Sequence, residues 1–169
     1  MKLELVLDEV ELPWRPDPEW GVLAERMMSS LGPSNAVLQA VLTDDATLRE
    51  HNREFRGMDE PTDVLSFSYL EDHEPHRRRL LEGVVGAEDF CTDPQPEVDA
   101  LLAGQILISL ETLSRRGPLH ANNLDDELTF MLVHGTLHVL GYDHRDEHGT
   151  EEMETIETEI MDHWYKGWR

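Results

Sequence analysis

An α+β fold, a small mixed β-sheet of about four strands with helices packed on it, is what this chain of 169 residues predicts. Three observations lead there. Four short segments carry strand patterns. The helical patterns cluster late in the chain. One of those late helices is apolar almost all round, which means burial.

The elements follow in order. KLELVLDEV alternates Leu3, Leu5 and Leu7 with polar neighbours, the period of a half-buried strand. After a turn at Pro13 and Pro16, Asp17 caps a helix with Pro18 at its first position. That helix runs through Trp20, Leu23, Met27 and Leu31 and stops at Gly32-Pro33. NAVLQAVLT is the second strand. Thr43 or Asp44 caps a short helix carrying Leu48 and Phe55, ended by Gly57. DVLSFSYL is a third strand, dense in residues that suit sheets. Residues 71–99, with EDHEPHRRR, two glycines and three prolines, read as a surface loop or insertion with a short strand at 83–87. LLAGQILIS is the fourth strand, followed by a short helix to Arg116 and a loop through Gly117-Pro118. Asn123 caps the buried helix, whose first turn holds Asp125, Asp126 and Glu127 at the positive end of the dipole. Thr150 opens a last helix with Met153, Ile156, Ile160 and Trp164 on one face and glutamates on the other.

Composition limits the function. The length suits a single domain over residues 1–169 with a core of its own. One cysteine, Cys91, rules out an intrachain disulfide and fits a reducing compartment. No run of about 18 apolar residues occurs, so a cytoplasmic protein without membrane attachment is expected. Fourteen Lys and Arg against 36 Asp and Glu give a formal charge of -22, which opposes loose nucleic-acid binding through the overall field. A polyanionic partner therefore needs a local arginine patch.

The chemistry concentrates in HGTLHVLGYDH, residues 134–144. His134 and His138 are four apart in the buried helix, so both rings lie on one face and can reach one ion. Gly141 turns the chain in a left-handed C-cap and swings His144 back as a third ligand. Three imidazoles with an open fourth position describe a catalytic zinc site, one Zn2+ per chain, because structural sites are closed by four protein ligands. The spacing is that of long zinc-protease motifs, but Gly135 stands where those carry the Glu that serves as general base. Peptide hydrolysis needs that carboxylate for a poor amine leaving group. Phosphodiester cleavage chiefly needs cationic stabilisation of a phosphoryl group. The missing Glu thus counts against a peptidase. Asp143 is a candidate to orient a ligand histidine. Tyr142 is expected to pack, and His120 and His148 to be surface histidines.

HGTLHVLGYDH followed by EEMETIETEIM at 151–161 resembles the YbeY family of endoribonucleases, as does NREFRGMDEPTDVLSF at 52–67. AGQILIS matches a third block less closely, since Gln105 stands where the family has Asp. The resemblance implies a zinc held by His134, His138 and His144 and metal-dependent, single-strand-directed cleavage of rRNA. It further implies work at the 3′ end of the small-subunit RNA and a part in ribosome quality control. The family's functional arginine falls on Arg56, where a guanidinium fork suits a phosphate. Arg56 and His134 are accordingly the expected catalytic residues. Arg53, Arg115 and Arg116 are the further candidates for RNA contact, with Arg77, Arg78 and Arg79 more remote. The expected partners are rRNA and the small ribosomal subunit, with no DNA. Two alternatives carry different expectations: a non-catalytic ribosome assembly factor pinned by a structural zinc, or a zinc peptidase with an unusual base.

Overall fold

The alternating leucines do form the first strand, β1 (Lys2–Leu7), but only Leu3 is buried; Leu5 and Leu7 stay partly exposed because β1 lies at a sheet edge. The computed structural model describes residues 1–31, 36–70, 101–144 and 146–162. Next come α1 (Pro18–Leu31), β2 (Ala36–Thr43), α2 (Asp45–Arg56), β3 (Val64–Ser68) and β4 (Leu101–Ser109). Three helices follow: α3 (Leu110–Arg116), α4 (Leu124–Val139) and α5 (Glu147–Ile160). The reading of 71–99, with its strand at 83–87 and its three arginines, lies outside the described residues, as does Trp164.

The four strands make one mixed sheet in the order β1-β2-β4-β3. β1 and β2 are parallel, β2 and β4 are parallel, and β3 runs antiparallel to β4 as the second edge. The predicted α+β class is therefore correct, with four strands among the described residues.

Side-chain alternation divides the sheet into two faces. Leu38, Ala40, Leu42, Ile106 and Ile108 point to one, where α1, α4 and α5 build the main core. Val41, Leu107, Leu65 and Phe67 point to the other, where α2 supplies Leu48 to a smaller cluster. Each such leucine or isoleucine, fully buried, stabilises the fold by about 1.5–3 kcal/mol. The α1 face is fixed by more than apolar contact. The Trp20 indole N–H donates to Thr129 Oγ1 of α4 at 2.9 Å, and both residues are buried.

Helix starts were largely readable. Asn123 and Asp44 cap α4 and α2, each accepting an amide with its side chain. The last helix begins earlier than predicted: Asp146, not Thr150, is its cap, accepting from the Gly149 N–H at 2.8 Å. Of the two apolar residues read on α2, Leu48 is buried, whereas Phe55 lies 60% exposed with its ring against Phe67.

The buried helix α4 sits unusually close to the sheet. A Cβ built on Gly135 would lie 2.8 Å from Ile106 Cγ2 and 2.9 Å from Ser66 Oγ. One turn on, a Cβ on Gly104 of β4 would lie 2.7 Å from Val139 Cγ1. Two glycines, one on each element, let the helix seat directly on β3 and β4. Ser68 Oγ then donates to the Val139 carbonyl at 2.8 Å and ties the helix end to the edge strand.

Candidate metal centre and its cleft

With Gly135 pressed on the sheet, the histidines on either side of it in the motif turn away from the sheet and toward solvent. His134 and His138 are half-buried on α4, and His144 is exposed on the turn that follows. Their ligand nitrogens lie within 4.8 Å of one another, so the three residues singled out by spacing converge on one point.

That turn is built by hydrogen bonds. The Tyr142 N–H donates to the Leu137 carbonyl at 2.9 Å and the Gly141 N–H to the His138 carbonyl at 3.0 Å. This is the paired pattern of a Schellman cap, and it needs the left-handed φ of 93° that Gly141 adopts. The Tyr142 side chain is buried, as expected, and anchors the turn. Its carbonyl accepts the Nδ1–H of His138 at 3.0 Å. The cap thus positions two candidate ligands at once, holding the ring of His138 and returning the chain with His144.

His134 is held differently. Its Nδ1 donates to Glu157 Oε1 of α5 at 2.7 Å, and that carboxylate is nearly inaccessible. With both Nδ1 atoms committed as donors, each ring in its neutral form would present an unprotonated Nε2, and these two atoms face each other at 3.2 Å. Two opposed lone pairs at that distance repel unless a cation lies between them. Two ligands at about 2.05 Å from a tetrahedral ion would stand about 3.3 Å apart, so the pair has the spacing a zinc-sized ion requires. Burial first, and then the neighbouring His134, hold His138 below the usual histidine range, which favours the neutral, ligating form.

Glu157 was missed by sequence reasoning, which placed the glutamates of α5 on its outer face. A signal existed: Met153, Ile156 and Ile160 are the buried stripe, and Glu157, four residues after Met153, falls inside it. Asp143, the expected orienting carboxylate, acts on His138 by charge, opposing the downward shift of its pKa.

The histidines open onto a cleft of about 1140 Å³ whose walls include His134, His144, Glu157, Asp126, Phe130 and His120. His120 was expected to be a plain surface residue, and the cleft wall is where the structure puts it. Asp63 and Val64, at the start of β3, also line it.

The candidate arginines are dispersed. Arg56 ends α2, on the sheet face opposite α4, exposed and outside the cleft wall. Arg53, one turn earlier, is also exposed, 4.0 Å from Asp59. Arg115 donates to Asp45 at 2.7 Å, and Arg116 to Asp63 at 2.6 Å. Both therefore brace α3 against the start of α2 and the loop that leads into β3. Gln105, which stands where the resembled pattern has Asp, is on the face turned away from the histidines and donates to Gln39 at 2.6 Å. Gly135 resolves the question raised by the motif. The position points into the sheet, where no glutamate side chain fits, so a protease-type base is excluded there by packing.

Comparison with known proteins adds a family to this geometry. The family model described as Endoribonuclease YbeY matches residues 20–165. The protein named endoribonuclease YbeY of Heliobacterium modesticaldum is 39% identical over 73% of this chain and 67% of its own length. That of Azorhizobium caulinodans is 36% identical over 95% of this chain and 91% of its own. Among solved structures, the solution structure of TM1509 from Thermotoga maritima shares the fold, with a TM-score of 0.50 and 19% identity over 98% of this chain and 93% of that one.

Proposed function

This chain belongs to the endoribonuclease YbeY family, and from that premise we propose that its three-histidine cleft is a zinc-dependent nuclease centre that cuts single-stranded rRNA. The proposed target is the 3′ end of the small-subunit RNA, with a wider part in ribosome quality control in the cytoplasm. The observation that carries the reading is the pair of Nε2 atoms at 3.2 Å, each ring fixed from behind by a separate hydrogen bond.

His134, His138 and His144 are the proposed zinc ligands. Bound there, zinc would polarise a phosphoryl oxygen and lower the pKa of a coordinated water. The protein's own contribution is placement. Glu157 fixes the tautomer of His134 and the Tyr142 carbonyl that of His138, so neither ring must reorganise when substrate arrives. Arg56 has no ion-pair partner among the described residues and is available to a phosphate. Its helix packs on the other face of the sheet from the cleft, and an RNA strand passing round the edge strand β3 is proposed to touch both. Arg53 is proposed to assist it. Arg115 and Arg116 would have to leave internal carboxylates to do so, which weighs against their part.

The test is cleavage of a precursor RNA spanning the small-subunit 3′ end by wild type and His138→Ala, with zinc content measured for each. Cutting by the wild type alone, in step with bound zinc, is the expected result; equal cutting by both would refute the reading. A second variant addresses Arg56. Arg56→Ala is expected to keep its zinc and lose about 10²-fold or more in cleavage. A loss confined to KM would make Arg56 a binding residue for the flanking strand, and full activity would remove it from the site.

A further inference from the structure

His120 and Glu127 form a second, separately built constellation on the cleft wall. Glu127 is fully buried in the first turn of α4, yet it carries a carboxylate. Its Oε2 accepts the backbone N–H groups of Leu119 and His120 at 3.0 and 2.8 Å. Its Oε1 accepts the Nδ1–H of His120 at 2.9 Å, with Arg116 Nη2 at 3.6 Å. A buried acid with this set of partners holds both the loop before α4 and the imidazole on it.

The ring so held is stacked flat on Phe130, with centroids 4.4 Å apart and planes within 11°. Phe130 in turn stacks on the metal ligand His134 at 6.2 Å. His120 therefore faces the same cleft as the three histidines, displaced from them by one aromatic ring. Because Nδ1 is spent on Glu127, the nitrogen left for the cleft is Nε2, which has no partner among the described residues. A buried carboxylate fixing Nδ1–H while Nε2 addresses the substrate is the arrangement that tunes histidine for proton transfer in hydrolytic sites. A loop histidine with no chemical task needs neither the buried acid nor the flat stack.

We infer that His120, oriented by Glu127, is the proton donor to the leaving oxygen of the cleaved phosphodiester. The inference rests on the reading of the cleft as the nuclease centre. As the attacking oxygen, from water or the RNA 2′-hydroxyl, bonds to phosphorus, its proton passes to solvent. The bond from phosphorus to the leaving oxygen breaks, and Nε2–H of the His120 imidazolium supplies the proton that oxygen needs. The imidazole regains a proton from solvent before the next turnover. Glu127 touches no substrate and is a positioning residue. The other charged groups of the cleft are Asp63, Asp126, Glu154, Glu157 and Asp162 on its walls, with Arg116 of α3 beside Glu127 and Asp63.

Bridging-sulfur RNA separates proton donation from mere loop support, since a thiolate departs without a proton. Wild type, His120→Gln and His138→Ala would each be given the ordinary linkage and linkages with sulfur at the 3′ or the 5′ bridging position. These two cover both directions of cleavage. His120→Gln is expected to cut the ordinary linkage about 10²- to 10⁴-fold more slowly, yet to cut the sulfur-leaving one within about threefold of wild type. Equal losses on both linkages, or no loss on either, would overturn the inference. His138→Ala is the control for the centre itself: activity retained there refutes the nuclease centre rather than His120. Independently of turnover, nitrogen NMR of the neutral ring should find the proton on Nδ1 of His120. A proton on Nε2 would also overturn the inference.

Discussion

Gly135 shows how one residue can mislead a motif comparison. By spacing it is a lost catalytic base; by packing it is the contact point of helix and sheet. Gly135→Ala keeps every polar group yet forces a Cβ to within 2.8 Å of Ile106 Cγ2. A loss of about 1–3 kcal/mol is expected from overpacking, read as a lower urea midpoint with an unchanged slope. Glu157 is the complementary case, a polar residue within an apolar stripe. Glu157→Gln should leave the fold intact and weaken metal binding about 10- to 100-fold, measured by competition against a chelator. An unchanged affinity would show that His134 needs no carboxylate behind it. Neither role was readable from residue identity. The sequence marks Gly135 as small and Glu157 as acidic, and only the register of α4 on β4 and of α5 on α4 gives those properties a use.

Among the elements, strands and helix caps were legible because they are local. Asn123, Asp44 and the Gly141 turn each act within a few residues of themselves, so spacing sufficed. The start of α5 was misjudged by one turn because Asp146 and Thr150 are both competent caps, and the Asp146 carboxylate takes the earlier amide. Pairings between elements were not legible. Arg116, read from sequence as a candidate for RNA contact, joins the end of α3 to Asp63 at the mouth of β3. Burial alone would raise the Asp63 carboxyl. The hydrogen bond and charge of Arg116, together with the Val64 N–H and the Thr62 hydroxyl, outweigh it and hold the group below its ordinary value. A carboxyl lowered on folding contributes stability above its unfolded pKa of about 3.9, and that contribution is lost as pH falls through the folded value. Asp63→Asn should therefore cost about 1–2 kcal/mol at pH 7 and at pH 5. The gap to wild type should narrow below pH 4 in urea titrations, whereas a constant gap would assign the loss to shape and not to charge.

For the molecule as a whole, charge was the most legible property and its distribution the least. A formal charge of -22 can be counted, but not that the cleft beside the histidines carries Asp63, Asp126, Glu154 and Asp162 on its walls. Nor does composition reveal that Arg115 and Arg116 are already paired within the fold. Binding to free RNA should consequently be weak, with a shallow dependence of log affinity on log salt, a slope of about -0.7 to -1.4 for one or two phosphates neutralised on a single strand. Filter binding across salt concentrations measures it. A slope steeper than about -4 would mean a basic track on the protein that the described arginines do not supply.

The unequal footing of the three histidines also sets an order of events. His134 and His138 are immobilised by Glu157, by the Tyr142 carbonyl and by a helix seated on the sheet, while His144 stands exposed on the outgoing turn. A cation bound there would meet two fixed rings and one exposed one. On that footing His144 would be the first ligand to let go, and exchange of the ion would answer to a single side chain at the edge of the cleft.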